Sequence, residues 1–200
     1  MWPIIAVLAL VAAAAVGAAL YFALRSNGNG PATRATTPTY NTLPGVRRTK
    51  PPWPPEYTYL TDNLIPLGLD VGTSHNGLAL HFHDHLDIYV NGKKVSVPAL
   101  IGINDDSYLT ELHTHTPDGI IHVETAHSGK TFTLGQFFGE WPVFLNARCI
   151  GSECGLKWYL NGKRQTGNPA QLVFKPHQVI VIVVGKSPPK IRSTYKWNGL

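Results

Sequence analysis

Residues 78–97 read LALHFHDHLDIYVNGKKVSV, and the apolar residues in this stretch recur with a period of two, not 3.6. Leu78, Leu80, Phe82, Leu86, Ile88 and Val90 fall on one phase, and Ala79, His81, His83, His85, Asp87 and Tyr89 on the other. Such alternation is that of a strand with one apolar and one polar face. Asn91-Gly92 follows, a dipeptide suited to the two positive-φ positions of a tight hairpin. A two-residue turn there pairs Val90 with Lys93, Ile88 with Val95 and Leu86 with Val97, so the apolar faces of both strands coincide.

The same turn chemistry recurs in KWYLNGKRQ, where Leu160 meets Lys163 across Asn161-Gly162. The run VIVIVV, Val179 to Val184, is apolar on both phases and reads as a central strand. TFTLGQFFGEW predicts a short helix, with Thr133 as N-cap and Gln136 at the capping-box position. The expected fold is mostly β: a small sandwich or barrel of antiparallel hairpins with one short helix.

Eight of the nine histidines lie within residues 75–127. In LTELHTHTPDGIIHVET, the segment Thr116-Pro117-Asp118-Gly119 forms a turn. His115 then pairs with Ile120, His113 with His122 and Glu111 with Glu124. Alternation places Glu111, His113, His115, His122 and Glu124 on one face, with Leu112, Thr114, Ile121 and Val123 on the other. Directly opposed Cβ atoms stand about 4.5–5.5 Å apart, close enough for two imidazoles to share an ion bound at about 2.0–2.1 Å. The first strand independently places His81, His83 and His85 on its polar face. These six histidines are the expected ligands of a divalent transition metal, with Glu124 and Glu111 as orienting groups or general bases if the site is catalytic. His75, His127 and His177 are assigned peripheral roles.

Ligand chemistry narrows the metal. Met1 is the sole methionine, which argues against a Met-rich Cu(I) site or a blue-copper site with an axial Met. Imidazole ligation suits Zn or Cu(II), as well as Ni or Fe(II), and an added carboxylate keeps Fe and Mn in play.

Outward from this region the composition changes. The chain has 200 residues, with 17 Lys+Arg, 12 Asp+Glu and a formal net charge of +5. Residues 1–55 carry Arg25, Arg34, Arg47, Arg48 and Lys50 and no acid, and residues 186–200 carry Lys186, Lys190, Arg192 and Lys196 and no acid. The middle therefore holds every acidic residue and is net negative, which disfavours a nucleic-acid-binding core. Residues 3–24 are uncharged. As a helix they would extend about 33 Å, enough to cross a hydrocarbon core of roughly 30 Å. The expectation is a transmembrane anchor over residues 1–25, with a cleaved signal peptide as the competing reading. Residues 26–55 carry seven prolines and read as a spacer. Residues 56–185 form the histidine-rich β domain, and 186–200 a basic, aromatic tail that packs back on the domain or touches lipid. Arg25 and Arg34 follow the hydrophobic run, so the positive-inside rule would place the domain in the cytoplasm. Cys149 and Cys154 point the other way: an isolated pair in an anchored protein reads as a disulfide, formed outside the cytoplasm. A reduced pair is the alternative.

The motifs HFHDHLDIYVNGKKVSVPALIGI, LHTHTPDGIIHVE and FTLGQFF together resemble a group of membrane-anchored or exported prokaryotic proteins of uncharacterised activity. The likeness spans about residues 75–185. Pro117-x-Gly119-x-x-His122 is similar to the second cupin motif and His81-x-His83-x3-Asp87 to the first, which implies His81, His83, Asp87 and His122 as ligands, although cupins usually carry Glu where Asp87 stands. LHFHDH and ELHTH resemble the zinc strands of α-type carbonic anhydrases, which implies His81, His83 and His113, on a much shorter domain. The sequence has no HExxH, GxSxG or P-loop motif. The expected function is a membrane-tethered, extracytoplasmic protein that binds copper or zinc for sequestration, sensing or delivery. A metalloenzyme on the same site and a structural subunit of a membrane complex are the alternatives.

Overall fold

The computed structural model describes residues 40–70, 77–104 and 108–200. The anchor expected over residues 1–25, and the spacer as far as residue 39, lie outside the described residues. Among the described residues no helix is long and apolar enough to cross a membrane.

The long strand β1 (Leu80–Val90) organises the domain. It turns through Asn91 and Gly92, both at positive φ, into β2 (Lys93–Val95), with Val90 facing Lys93 and Ile88 facing Val95. A short pair follows, β3 (Ile103–Asn104) against β4 (Tyr108–Leu109). Next come β5 (Leu112–His113) and β6 (Ile120–Thr125), in the register read from the sequence, with His113 opposite His122. Strands β7 (Cys149–Ile150) and β8 (Glu153–Cys154) pair so that the two cysteines face one another, joined in a disulfide. The second Asn-Gly hairpin joins β9 (Lys157–Leu160) to β10 (Lys163–Gln165), and β11 (Val179–Val184) closes the set.

Seven strands form one sheet in the order β10-β9-β11-β1-β6-β5, with β2 against β1. The sheet is mixed: β1 pairs antiparallel with β6 through its first half and parallel with β11 through its second. The expectation of antiparallel hairpins closing a sandwich or barrel is corrected here, because among the described residues no barrel closes and helices and loops cover the inner face. The cause is β11. Apolar on both faces, it is stable only inside a sheet, and it takes the interior place between β9 and β1. Ile180, Ile182 and Val184 face the main core with Leu86, Ile88 and Phe137. Val179, Val181 and Val183 face a second cluster with Tyr89, Tyr159, Ile191, Tyr195 and Trp197. The tail therefore packs back over the outer face of the sheet.

Among the described residues two helices line the inner face, not one. Helix α2 (Leu134–Glu140) starts as expected, with Thr133 and Gln136 in a reciprocal capping box. Helix α1 (Leu60–Leu67) buries Leu60, Asn63, Leu64 and Leu67 and stops at Gly68 in the left-handed conformation. The two helices meet closely at Gly139, where a Cβ would lie 2.6 Å from Leu67 Cδ2. Residues 40–55, read from the sequence as part of a spacer, belong with the domain. Trp53 is buried against Trp141, whose indole N–H donates to the Trp53 carbonyl at 3.0 Å. Arg47 bridges to Val143 and its side chain pairs with Glu56 at 3.2 Å.

Candidate metal centre

The strand order β1-β6-β5 collects the histidines. His83 faces His122, which faces His113, and His81 faces Glu124. Because alternate residues share a face, His81, His83, His122, Glu124 and His113 project from the outer side, opposite the aliphatic core. His115, two residues beyond His113, joins them: its ring meets His113 at 4.9 Å and His122 at 4.5 Å between centroids. Two groups of three histidines have nitrogens close enough together to hold a metal ion: His81, His83 and His122, and His113, His115 and His122.

The distances suit first-row metal ligation. His83 Nε2 lies 3.0 Å from His122 Nδ1, near the roughly 3.3 Å that separates two nitrogens on a tetrahedral ion. Glu124 is buried, and its Oε1 stands 3.2 Å from His81 Nε2, 3.6 Å from His122 Nδ1 and 3.9 Å from His113 Nε2. At His113 the tautomer follows from the surroundings. Nδ1 is 2.9 Å from the Thr110 carbonyl and must donate to it, which leaves a lone pair on Nε2. That Nε2 is buried with no hydrogen-bond partner among the described residues. An imidazole whose outer N–H is held by a carbonyl and whose inner nitrogen is bare has the arrangement of a metal-ligating histidine.

Burial also sets the charge state. It is the main cause that pulls His113 down to about 3 and His83 down to about 4, with the neighbouring histidines acting in the same direction. Both rings are neutral at physiological pH, the form that binds metals.

The cleft over these groups measures about 520 Å³ and is lined by His81, His83, His115, His122 and Glu124, together with His177 and Leu200. His177, assigned a peripheral role from the sequence, is at the cleft. It sits in the turn before β11, donates its backbone N–H to the His83 carbonyl at 2.9 Å, and stacks on Trp197. Its distance in sequence from the other histidines left only composition as a signal.

Other expected site residues are placed elsewhere. His85 stays on the outer face but is not in either group: Nε2 donates to the Asp118 carbonyl at 3.1 Å, and its ring stacks on Tyr195 at 4.2 Å. Glu111 is buried, yet its carboxylate turns to Lys130 at 2.6 Å and to the Thr125 hydroxyl at 2.5 Å. Asp87, implied as a ligand by the cupin likeness, lies four residues along β1 from His83, roughly 13 Å away. It is bound by Lys94 and Arg192 at 2.7 Å each. Burial raises Asp87, but those two cations outweigh it and hold the carboxyl below its usual range. His127 pairs with Asp70 at the surface. His75 lies outside the described residues.

No protein-family model, curated protein or solved structure matches the chain. Fold and site alone therefore define the class: a mixed-sheet domain whose outer face carries an imidazole-rich cleft able to hold a metal ion.

Proposed function

We propose that this protein binds a divalent transition metal, zinc or copper, in the histidine cleft, and that it sequesters, senses or delivers that metal while tethered to the outer face of a membrane. The observation that carries the metal reading is the bare Nε2 of His113, buried beside His122 and the Glu124 carboxylate while Thr110 fixes its other nitrogen. A neutral acceptor left unsatisfied in a protein interior costs about 1–3 kcal/mol, a cost that a bound cation removes. The Cys149–Cys154 disulfide supports an oxidising compartment, and the uncharged run at residues 3–24 supports the tether.

The test is elemental analysis of the gently purified full-length protein beside a His81→Ala/His113→Ala/His122→Ala variant. Zinc or copper is expected in the wild type and not in the variant. Wild-type protein that neither carries nor takes up either metal would overturn the reading.

A catalytic use of the same metal is the second reading, favoured by the openness of the cleft beside buried Glu124. There Glu124 would act as the base on a metal-bound water in a hydratase or hydrolase. Zinc-dependent turnover of ester or CO2 substrates that Glu124→Gln abolishes, without loss of zinc, separates enzyme from carrier.

A further inference from the structure

Three histidines stand abreast across adjacent strands: His83 on β1, His122 on β6 and His113 on β5. Neighbouring strands lie about 4.8 Å apart, so the backbones of His83 and His113 are roughly 10 Å apart with His122 midway. The remaining two histidines extend the flanks, His81 beside His83 and His115 beside His113. The ligand groups follow this division. His81 and His83 gather with His122, His113 and His115 gather with His122, and the two outer pairs do not merge into one group.

Two further observations mark each flank as a place for a cation. Each holds a buried imidazole with a nitrogen that has no hydrogen-bond partner among the described residues: on one side His83 turns Nε2 to His122 and its Nδ1 is bare, and on the other Nε2 of His113 is bare. Between the flanks lies Glu124 Oε1, within 4 Å of His81 and His113 alike. A buried carboxylate at that point offsets the repulsion that two neighbouring dications would otherwise feel.

We infer that the cleft is a dinuclear centre. One divalent transition-metal ion sits on His81 and His83, a second sits on His113 and His115, His122 is shared between them, and the Glu124 carboxylate lies between the two. This inference rests on the reading of the cleft as a metal centre. Sharing His122 uses both its ring nitrogens. Its ring proton therefore passes to solvent as the second ion binds, and the resulting imidazolate joins the ions.

Titration of the metal-free, full-length protein with Zn2+ alone tests the count. Calorimetry, and elemental analysis after desalting, are expected to reach two ions per chain. Cu2+ tests the sharing: its paramagnetic resonance signal should grow to one equivalent and then fall as the second ion couples to the first. The His81→Ala/His83→Ala and His113→Ala/His115→Ala variants should each keep one ion and an uncoupled signal. One ion per chain in the wild type overturns the dinuclear centre and leaves the metal-centre reading intact, whereas none overturns both. Two ions with an undiminished copper signal overturn the sharing of His122. The wild-type measurements decide these points even if a variant fails to fold.

Discussion

At His113 one ring nitrogen donates to the Thr110 carbonyl while the other, bare, lies near the Glu124 carboxylate and among two further histidines, and it is that company that makes a buried histidine a candidate ligand. His85, on the same sheet face, repeats the pattern, with Nε2 donating to the Asp118 carbonyl and Nδ1 buried without a partner among the described residues, but its ring is covered by Tyr195 and it joins neither ligand group. Both belong to His-x-His pairs, and nothing in residue type or spacing separates them. What separates them is the neighbour each meets across the strand and above the sheet. Glu140 is a second buried titratable group, fully enclosed at the end of α2. Burial raises it well above its ordinary 4.5, and Glu111 pushes in the same direction, while the nearby Thr110 hydroxyl partly opposes them. The folded state keeps this proton where the unfolded chain gives it up. The contribution of Glu140 to stability therefore falls as pH rises above 4.5, by about 1.4 kcal/mol per pH unit until the folded group ionises. Glu140→Gln removes that dependence. Thermal unfolding should show the variant more stable than wild type at pH 8, with the gap closing toward pH 4. A gap that does not change with pH would refute this account.

At the scale of elements, local chemistry is strong where it acts over a few residues. Asn91-Gly92 and Asn161-Gly162 each supply two positive-φ residues and set their hairpin registers. Thr133 accepts from the Gln136 backbone N–H at 3.3 Å, while the Gln136 side chain accepts from the Thr133 N–H at 2.7 Å. Replacing Thr133 with Ala should cost about 1 kcal/mol, read as a lower midpoint in urea unfolding with an unchanged slope. No loss of midpoint would mean the cap contributes nothing. Helix α1 escaped the sequence reading because Pro66 stands inside it and a proline-rich stretch precedes it. Its buried set, Leu60, Asn63, Leu64 and Leu67, nevertheless has the spacing of one helix face. The two-sided use of β1 was likewise not legible. Alternation assigns residues to faces, but a strand's edges are bare N–H and C=O groups that carry no side-chain signature.

At the scale of the whole molecule the basic tail acquires a role. Arg192 reaches buried Asp87 from above the outer face, Tyr195 covers His85, and Trp197 stacks on the cleft residue His177. Arg192→Ala should cost on the order of 1–3 kcal/mol, as for a lost charge-assisted hydrogen bond, and should expose residues 186–200 to protease before the rest of the domain. Uniform protease resistance with unchanged stability would refute the strap. The hairpins, the cap of α2, the apolar and polar faces of β1, and the His113–His122 register are all legible along the chain, because they follow from a period of two and from turn and cap residues adjacent in sequence. Long-range packing fixes that β11 lies parallel to β1, that residues 40–55 pack on the domain with Trp53 in its core, that His85, Asp87 and Glu111 serve packing and ion pairs, and that His177 reaches the cleft. Those are contacts between segments far apart in sequence, set by which apolar faces can be buried together, and no local pattern records them.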